Sequence, residues 1–438
     1  MRFTILGGGL AGISLAYFLQ NDDRITSIDI LEKEDEPGGL CRSFEHNGIP
    51  VDIGPHIFFS KDKETLGFML DLLGENKREF RRSNRILHDG RFVQYPFEND
   101  LSKLSSEDRK RCVDTFLNNP YRDFAANTML QFFLKTFGEG ITNLYLRPYN
   151  EKIWKFDPAF MDTQIVERIP CPPNEDILRS AAGETVDGYT HQLFFSYPKT
   201  GGMAAFIEAF IHKLNEKVTL HTGCEVTKVS KSGNGWKVEA RDEEFSSDTL
   251  ASCIPVSTLI EIYSDADEKA RTCGCDLRHN NIIIAVATVK EDCAEDNFAF
   301  MVADKDVIFH RLSKLDYLGE NYSAGYGATY MMEYTYRDGD PIANLPDQEL
   351  QYLFVNGLKK IGFIESDNEV KSIDLRRFPY AYVIYDLAHK KNMTVIRKFF
   401  SDEGVVLHGR FGNFEYWNMD KVVAESRLVA NRILQHMT

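Results

Sequence analysis

Apolar and polar positions along the chain change period in blocks. Phe3-Thr4-Ile5-Leu6 is a short apolar run entering Gly7-Gly8-Gly9-Leu10-Ala11-Gly12, and Ile13, Leu15, Ala16, Phe18 and Leu19 then recur at helical spacing. That pattern predicts strand, glycine turn and helix. A second strand is expected over Ile25–Leu31, ending at Glu32, 20 residues beyond Gly12. Phe44–Gly48 suits a hairpin turn, Val51–Phe59 resumes an apolar run, Lys63–Leu73 reads as a helix, and Arg85–Pro96 reads as a hairpin about His88-Asp89-Gly90. From Leu101 to about Arg179 the spacing is largely helical, with segments at Asp108–Leu117, Asp123–Phe137 and Gly140–Trp154. Strand signals return at Phe194–Pro198, followed by a helix over Ala204–Leu214 and short strands at Val218–His221, Cys224–Ser230 and Trp236–Ala240. A strand-rich run covers Ile282–Val289, Phe298–Val302, Val307–Leu312 and Thr329–Tyr336, which predicts a separate antiparallel sheet. Finally, the strand Gly404–Leu407 leads through Gly409-Arg410-Phe411-Gly412 into a helix over Asp420–Leu434.

The expected class is α/β. A Rossmann-like, dinucleotide-binding domain is interrupted by a helical insertion and accompanied by an antiparallel sheet domain. The pieces are discontinuous: residues 1–77, 199–264 and 405–438 for the nucleotide domain, 97–180 for the helical domain, and 78–96, 181–198 and 265–404 for the sheet domain. In the first turn Gly7 permits the tight bend, Gly9 lets backbone approach a pyrophosphate, and Gly12 lets helix and strand pack closely. The helix N-terminus, with Leu10 and Ala11, then offers unpaired N–H groups and a positive dipole end to phosphate. Glu32 can accept bonds from both ribose hydroxyls and would repel a 2′-phosphate, so the nucleotide should not be NADP-like. A second glycine turn follows in Gly38-Gly39-Leu40-Cys41-Arg42, for which an NAD dehydrogenase has no need.

Charge and composition narrow this further. With 438 residues, 43% hydrophobic and 27% charged, the chain is long enough for about three domains of ordinary globular composition. The apolar run Ile282–Val289 is far short of the roughly 20 residues that span a bilayer, and no signal segment precedes the first strand. A cytoplasmic protein without membrane insertion is the expectation. The net charge of −15 argues against nucleic acid as a partner, and it requires any anion site to gather arginines locally. The eight Cys form no CxxC pair and the 11 His no HExxH, so no metal is expected.

The two glycine turns resemble those of the FAD-binding family that includes amine oxidases, protoporphyrinogen oxidase, phytoene desaturases and UDP-galactopyranose mutase. Further stretches resemble UDP-galactopyranose mutase over nearly the whole chain: Gly54-Pro55-His56-Ile57-Phe58, Tyr95-Pro96-Phe97, Arg147–Trp154, and Gly409–Gly412 with Tyr416 and Asn418-Met419-Asp420. The resemblance implies FAD held by Gly7, Gly9, Leu10, Ala11, Gly12, Glu32, Lys33, Gly38, Gly39, Leu40, Arg42, Gly54, Pro55, His56, Gly409, Arg410, Tyr416, Asn418 and Met419. Val226 is a candidate for the adenine, a plain strand valine being the alternative. On the substrate side it implies Tyr95, Tyr149, Asn150, Trp154, Arg168, Gln192, Arg311, Tyr382 and Tyr416. Catalytic roles fall to His56 at the flavin and to Arg168 and Arg311 on the diphosphate, where arginine forks suit phosphate oxygens.

The implied reaction interconverts the pyranose and furanose forms of a nucleotide sugar such as UDP-galactose. Reduced flavin N5 would attack the anomeric carbon with no net oxidation, and NAD(P)H would be an external reductant. A homodimer is left open. Ala381-Tyr382-Val383 and Glu415 depart from the family pattern, which puts the nucleotide or sugar in doubt more than the reaction. Two rival readings remain: a true oxidoreductase of the amine oxidase and protoporphyrinogen oxidase class, and a flavoprotein scaffold in polysaccharide assembly.

Overall fold

Arg2–Leu6 is the middle strand of a five-stranded sheet whose order is Val405–Leu407, Thr249–Ser252, Arg2–Leu6, Ser27–Leu31, Val218–His221. Every pair in it is parallel. Phe3, Ile5 and Leu6 have no exposed surface, as expected where helices or loops cover both faces of a parallel sheet. Phe3 and Ile5 pack with Leu15, Leu19, Val429 and Ala430, so the helices Leu10–Leu19 and Met419–His436 share one face. The computed structural model describes residues 1–167, 169–184, 186, 193–241 and 243–436.

A second, seven-stranded sheet runs Val370–Ile384, Arg278–Val289, Ala328–Tyr336, Arg311–Lys314, Ala299–Val302, Asn84–His88, Arg91–Gln94. It is antiparallel apart from the pairing of Ala299–Val302 with Asn84–His88, which is parallel. The strand Arg278–Val289 shows the two-residue period of side chains. Ile282, Ile284 and Val286 pack toward the hairpin Ser43–Asp52 and the nucleotide side. Ile283, Ala285 and Ala287 pack toward the helix Asp347–Lys360.

The helical block contains Ser106–Leu117, Met129–Ile141, Arg147–Trp154 and Asn174–Ala182. At Gly140 a Cβ would stand 2.7 Å from the Cys112 Cα, so the first two of these helices touch backbone to backbone. The helix expected from Asp123 begins only at Met129, because the Thr128 side chain caps it by accepting from the Gln131 N–H. The strand expected over Val307–Leu312 is displaced to Arg311–Lys314, since Val307 and Phe309 bury themselves as core rather than join the ladder. Among the described residues no helix is long and apolar enough to cross a membrane.

Candidate functional site

The first glycine turn closes on itself as its spacing requires. Gly7 has φ +98° and donates to the Leu31 carbonyl at 2.8 Å, and a Cβ at Gly12 would lie 2.1 Å from the Gly7 oxygen. The second turn lies against the first: the Gly38 N–H donates to the Gly8 carbonyl at 2.8 Å, and Gly9 faces Gly39. The atoms nearest a Cβ on Gly9 are backbone atoms of this second glycine pair, from 3.7 Å outward, so a groove of bare backbone runs between the turns. Glu32 is 7% exposed and already oriented, accepting from the N–H groups of Gly8 at 2.7 Å and Glu34 at 3.0 Å. Beside it, the Cys224 N–H donates to the Glu32 carbonyl at 2.7 Å, which brings the strand starting at Val226 to the same end of the groove.

Arg42 lies across the second turn, its Nε donating to the Gly39 carbonyl at 3.1 Å, and Leu40 packs between two core clusters. The Lys33 side chain is exposed and sits 3.6 Å from Glu34. The C-terminal segment meets the start of the first helix: Gly409 has φ +85°, and a Cβ there would be 2.6 Å from that of Ala11. Asn418 opens the last helix, accepting from the Val422 N–H, and Met419 is buried with Leu10.

Where the sheets and the helical block meet, aromatic and cationic side chains converge. Tyr382 and Tyr416 stack at 5.9 Å, and Trp154 stands edge-on to both, at 5.7 and 6.0 Å. The Arg410 guanidinium lies 4.3 Å from the Tyr416 ring centroid, anchored on the Ala381 carbonyl at 2.7 Å, and its buried Nε has no partner among the described residues. His56 neighbours Arg410 and Arg311. Burial, then Arg410 and Arg311, pushes its pKa down to about 4, and its buried Nδ1 has no partner among the described residues. The imidazole is therefore neutral near pH 7.

Arg311 forks onto the fully buried Glu333, with Nη2 to Oε2 at 2.6 Å and Nε to Oε1. Burial opposes the arginine's charge, but Glu333 outweighs it and holds the guanidinium above its usual pKa. Nη1 makes no hydrogen bond to a described residue, so one face of the fork is left over. Gly54, at φ +83°, brings the Pro55-His56 turn beside this pair: a Cβ on it would lie 3.6 Å from Glu333 Oε2. Tyr149 stacks on Tyr145 at 5.3 Å, near both Arg311 and Tyr95, and Tyr95 precedes a cis proline. Asn150 turns inward instead, accepting from Trp154 Nε1 at 2.8 Å and donating to the Leu146 carbonyl at 2.7 Å. Arg168 and Gln192 lie outside the described residues.

Two groups escaped the sequence reading. Glu333 is hidden in an apolar strand, Ala328–Tyr336, where only the partner across the ladder gives it a purpose. Arg82 carries a buried Nε and Nη2 with no partner among the described residues, stacks on Phe59 at 4.9 Å, and has its pKa lowered by burial with Arg311 nearby. The run Arg81-Arg82-Ser83-Asn84-Arg85 was its available signal in a chain of net charge −15.

A family model described as an NAD(P)-binding Rossmann-like domain matches residues 5–72. A coproporphyrinogen III oxidase from Staphylococcus aureus is 33% identical over 58 residues, 13% of this chain and 12% of that protein. An uncharacterized protein from Methanothermococcus thermolithotrophicus is 41% identical over 56 residues, 13% of this chain and 52% of that protein. These sequence matches thus span about an eighth and about half of the curated relatives. The solved structure of reduced UDP-galactopyranose mutase superposes with a TM-score of 0.90 at 22% identity, covering 100% of this chain and 96% of that one. The chain has the UDP-galactopyranose mutase fold. A protein from an Exiguobacterium species, provisionally named protoporphyrinogen oxidase, gives a TM-score of 0.78 at 17% identity, covering 99% of each chain. A conjugated-linoleic-acid-producing fatty acid isomerase from P. acnes gives 0.67 at 15% identity, covering 98% of each. One framework therefore carries several reactions, and the site must decide among them.

Proposed function

We propose that the protein is an FAD-dependent mutase that interconverts the pyranose and furanose forms of a nucleotide sugar. The observation that carries this reading is the convergence of Arg311, Arg410, Trp154, Tyr382 and Tyr416 beside the neutral His56. It combines an anion-binding fork and an aromatic wall at the far end of a dinucleotide groove. The similarity in fold to reduced UDP-galactopyranose mutase supports it.

The residues present fit FAD. The bare backbone between Gly9 and Gly39 suits the pyrophosphate, Glu32 the ribose, and the strand at Val226 the adenine end. The orphaned Nδ1 of His56 and Nε of Arg410 are polar atoms that a bound heteroaromatic ring would satisfy. Bound in its reduced state between these residues, FAD would supply a nucleophile for the anomeric carbon without net oxidation.

The chain's own work is positioning and charge stabilisation. Arg311, held in one plane by Glu333, keeps Nη1 for a diphosphate oxygen and stabilises the negative charge that develops as that group leaves. Arg168 is proposed, from the resemblance, as its companion. Tyr382, Tyr416 and Trp154 exclude water from the reacting sugar. His56, neutral near pH 7, offers Nδ1 as donor or acceptor according to its tautomer.

UDP-galactopyranose supplied to dithionite-reduced, FAD-loaded protein should be isomerised over many turnovers per reduction, with no turnover by the oxidised protein. Consumption of reductant one-for-one with product, or peroxide release, would place the protein among the oxidoreductases instead.

A further inference from the structure

We infer that Tyr385 is a positioning residue that ties the Tyr416 segment to the helical block, with Glu415 and Arg397 fixing the tie. The inference rests on the proposed function for its catalytic meaning, but not for its structural content.

Tyr385 follows the strand Val370–Ile384 and is 5% exposed. Its hydroxyl accepts the Tyr416 N–H at 2.6 Å and donates to Glu415 Oε2 at 2.9 Å. The other carboxylate oxygen accepts from Arg397 Nη2 at 2.5 Å, and the same nitrogen donates to the Asn413 carbonyl at 2.9 Å. Arg397 lies on the helix His389–Glu403, whose His389 reaches the Phe414 carbonyl at 2.8 Å and packs its ring edge-on against Tyr385 at 4.6 Å. Asn413, Phe414, Glu415 and Tyr416 are thus held one after another from a single helix and a single tyrosine.

The opposite end of Tyr385 faces the helical block. Its carbonyl accepts from the Asp162 N–H at 2.7 Å, and Met161 bridges to Asp386. Asp162 caps the turn Thr163–Ile165, which follows closely on the helix carrying Tyr149 and Trp154. One residue therefore bonds, through backbone and hydroxyl, the two segments whose aromatic rings meet at Trp154 and Tyr416. The short, charge-assisted bonds around Glu415 are the strong kind, and they hold a residue, Phe414, at φ +51°. This also gives Glu415 a purpose: an acid there can join Arg397 to Tyr385, and a basic residue cannot.

The test pairs Tyr385→Phe with Glu415→Lys and Glu415→Gln, each read two ways. By hydrogen exchange, the Tyr416 amide should lose protection at least tenfold in Tyr385→Phe and Glu415→Lys, and within threefold in Glu415→Gln, which keeps an acceptor oxygen. By UDP titration of the FAD-loaded protein, affinity should fall about tenfold in the first two and recover in the third, with KM raised and kcat changed less than threefold. Unchanged exchange at Tyr416 in Tyr385→Phe overturns the tie. Lost protection with unchanged UDP affinity overturns its role at the site. A wild-type protein that binds no UDP overturns the mutase reading and the ligand-positioning role together, while the exchange arm still decides the tie.

Discussion

Removing Arg311 should injure folding and ligand binding together, and the two can be separated. Arg311→Ala would leave the Glu333 carboxylate, which has no exposed surface, without the fork that compensates its charge. An uncompensated buried charge costs about 3–5 kcal/mol. Unfolding entropy near 2 cal/mol/K per residue, over 438 residues, converts this into a fall in Tm of about 3–5 °C if the chain melts as one unit. Arg311→Ala/Glu333→Ala removes both charges and should recover most of that loss. UDP affinity should not recover, because a charge-assisted bond to phosphate contributes about 1.5–3 kcal/mol, roughly tenfold to over a hundredfold in Kd. Thermal melts and UDP titrations on wild type, both single variants and the double variant complete the cycle. The reasoning is refuted if the double variant melts as low as Arg311→Ala, or if it binds UDP like the wild type.

Gly12→Val would drive a Cβ to 2.1 Å from the Gly7 oxygen and should yield protein that neither folds to wild-type yield nor retains flavin; a soluble, yellow, flavin-replete variant refutes the glycine assignment. Glu98, 4% exposed, is pushed by burial up to about 7 from 4.5, so the folded state holds its proton and stability declines as pH rises from about 4.5 to about 7. Glu98→Gln should therefore exceed the wild type by about 3 kcal/mol in urea unfolding at pH 8 and match it at pH 4.5, and an equal difference at both pH values would refute the assignment.

What the sequence reveals follows from where each interaction is encoded. The glycine turn, its helix and Glu32 lie within one continuous stretch and depend on local sterics, and Gly12 against Gly7 realises that logic directly. The hairpin at Asn47-Gly48 and the helix Lys63–Leu72 are equally local. The strand Val370–Ile384 was illegible: as an edge strand it leaves one side unpaired, carries Arg376 and Arg377, and bends at Pro379 before Tyr380 at φ +57°. Pro is tolerated at such an edge, where the ladder does not need its missing N–H, so Pro379 hides the strand from a reading of local pattern. The site divides along the same line. Tyr382 and Tyr416 could be named from the motifs around them. The Trp154 edge that meets both rings comes from a segment more than 200 residues away in the sequence.

Glu333 is the clearest case, because a carboxylate within Met331-Met332-Glu333-Tyr334 contradicts its surroundings until Arg311 is placed on the neighbouring strand. The register that pairs Arg311 with Glu333 is set by alternate burial of Leu312 and Met332 on the facing side, so an apolar pattern positions the ion pair. A slip by one residue would bury the guanidinium among the aromatic rings beneath the sheet and turn Leu312 toward the site. The core therefore specifies the chemistry here through register, and the fork orients Arg311 only after the sheet has delivered it.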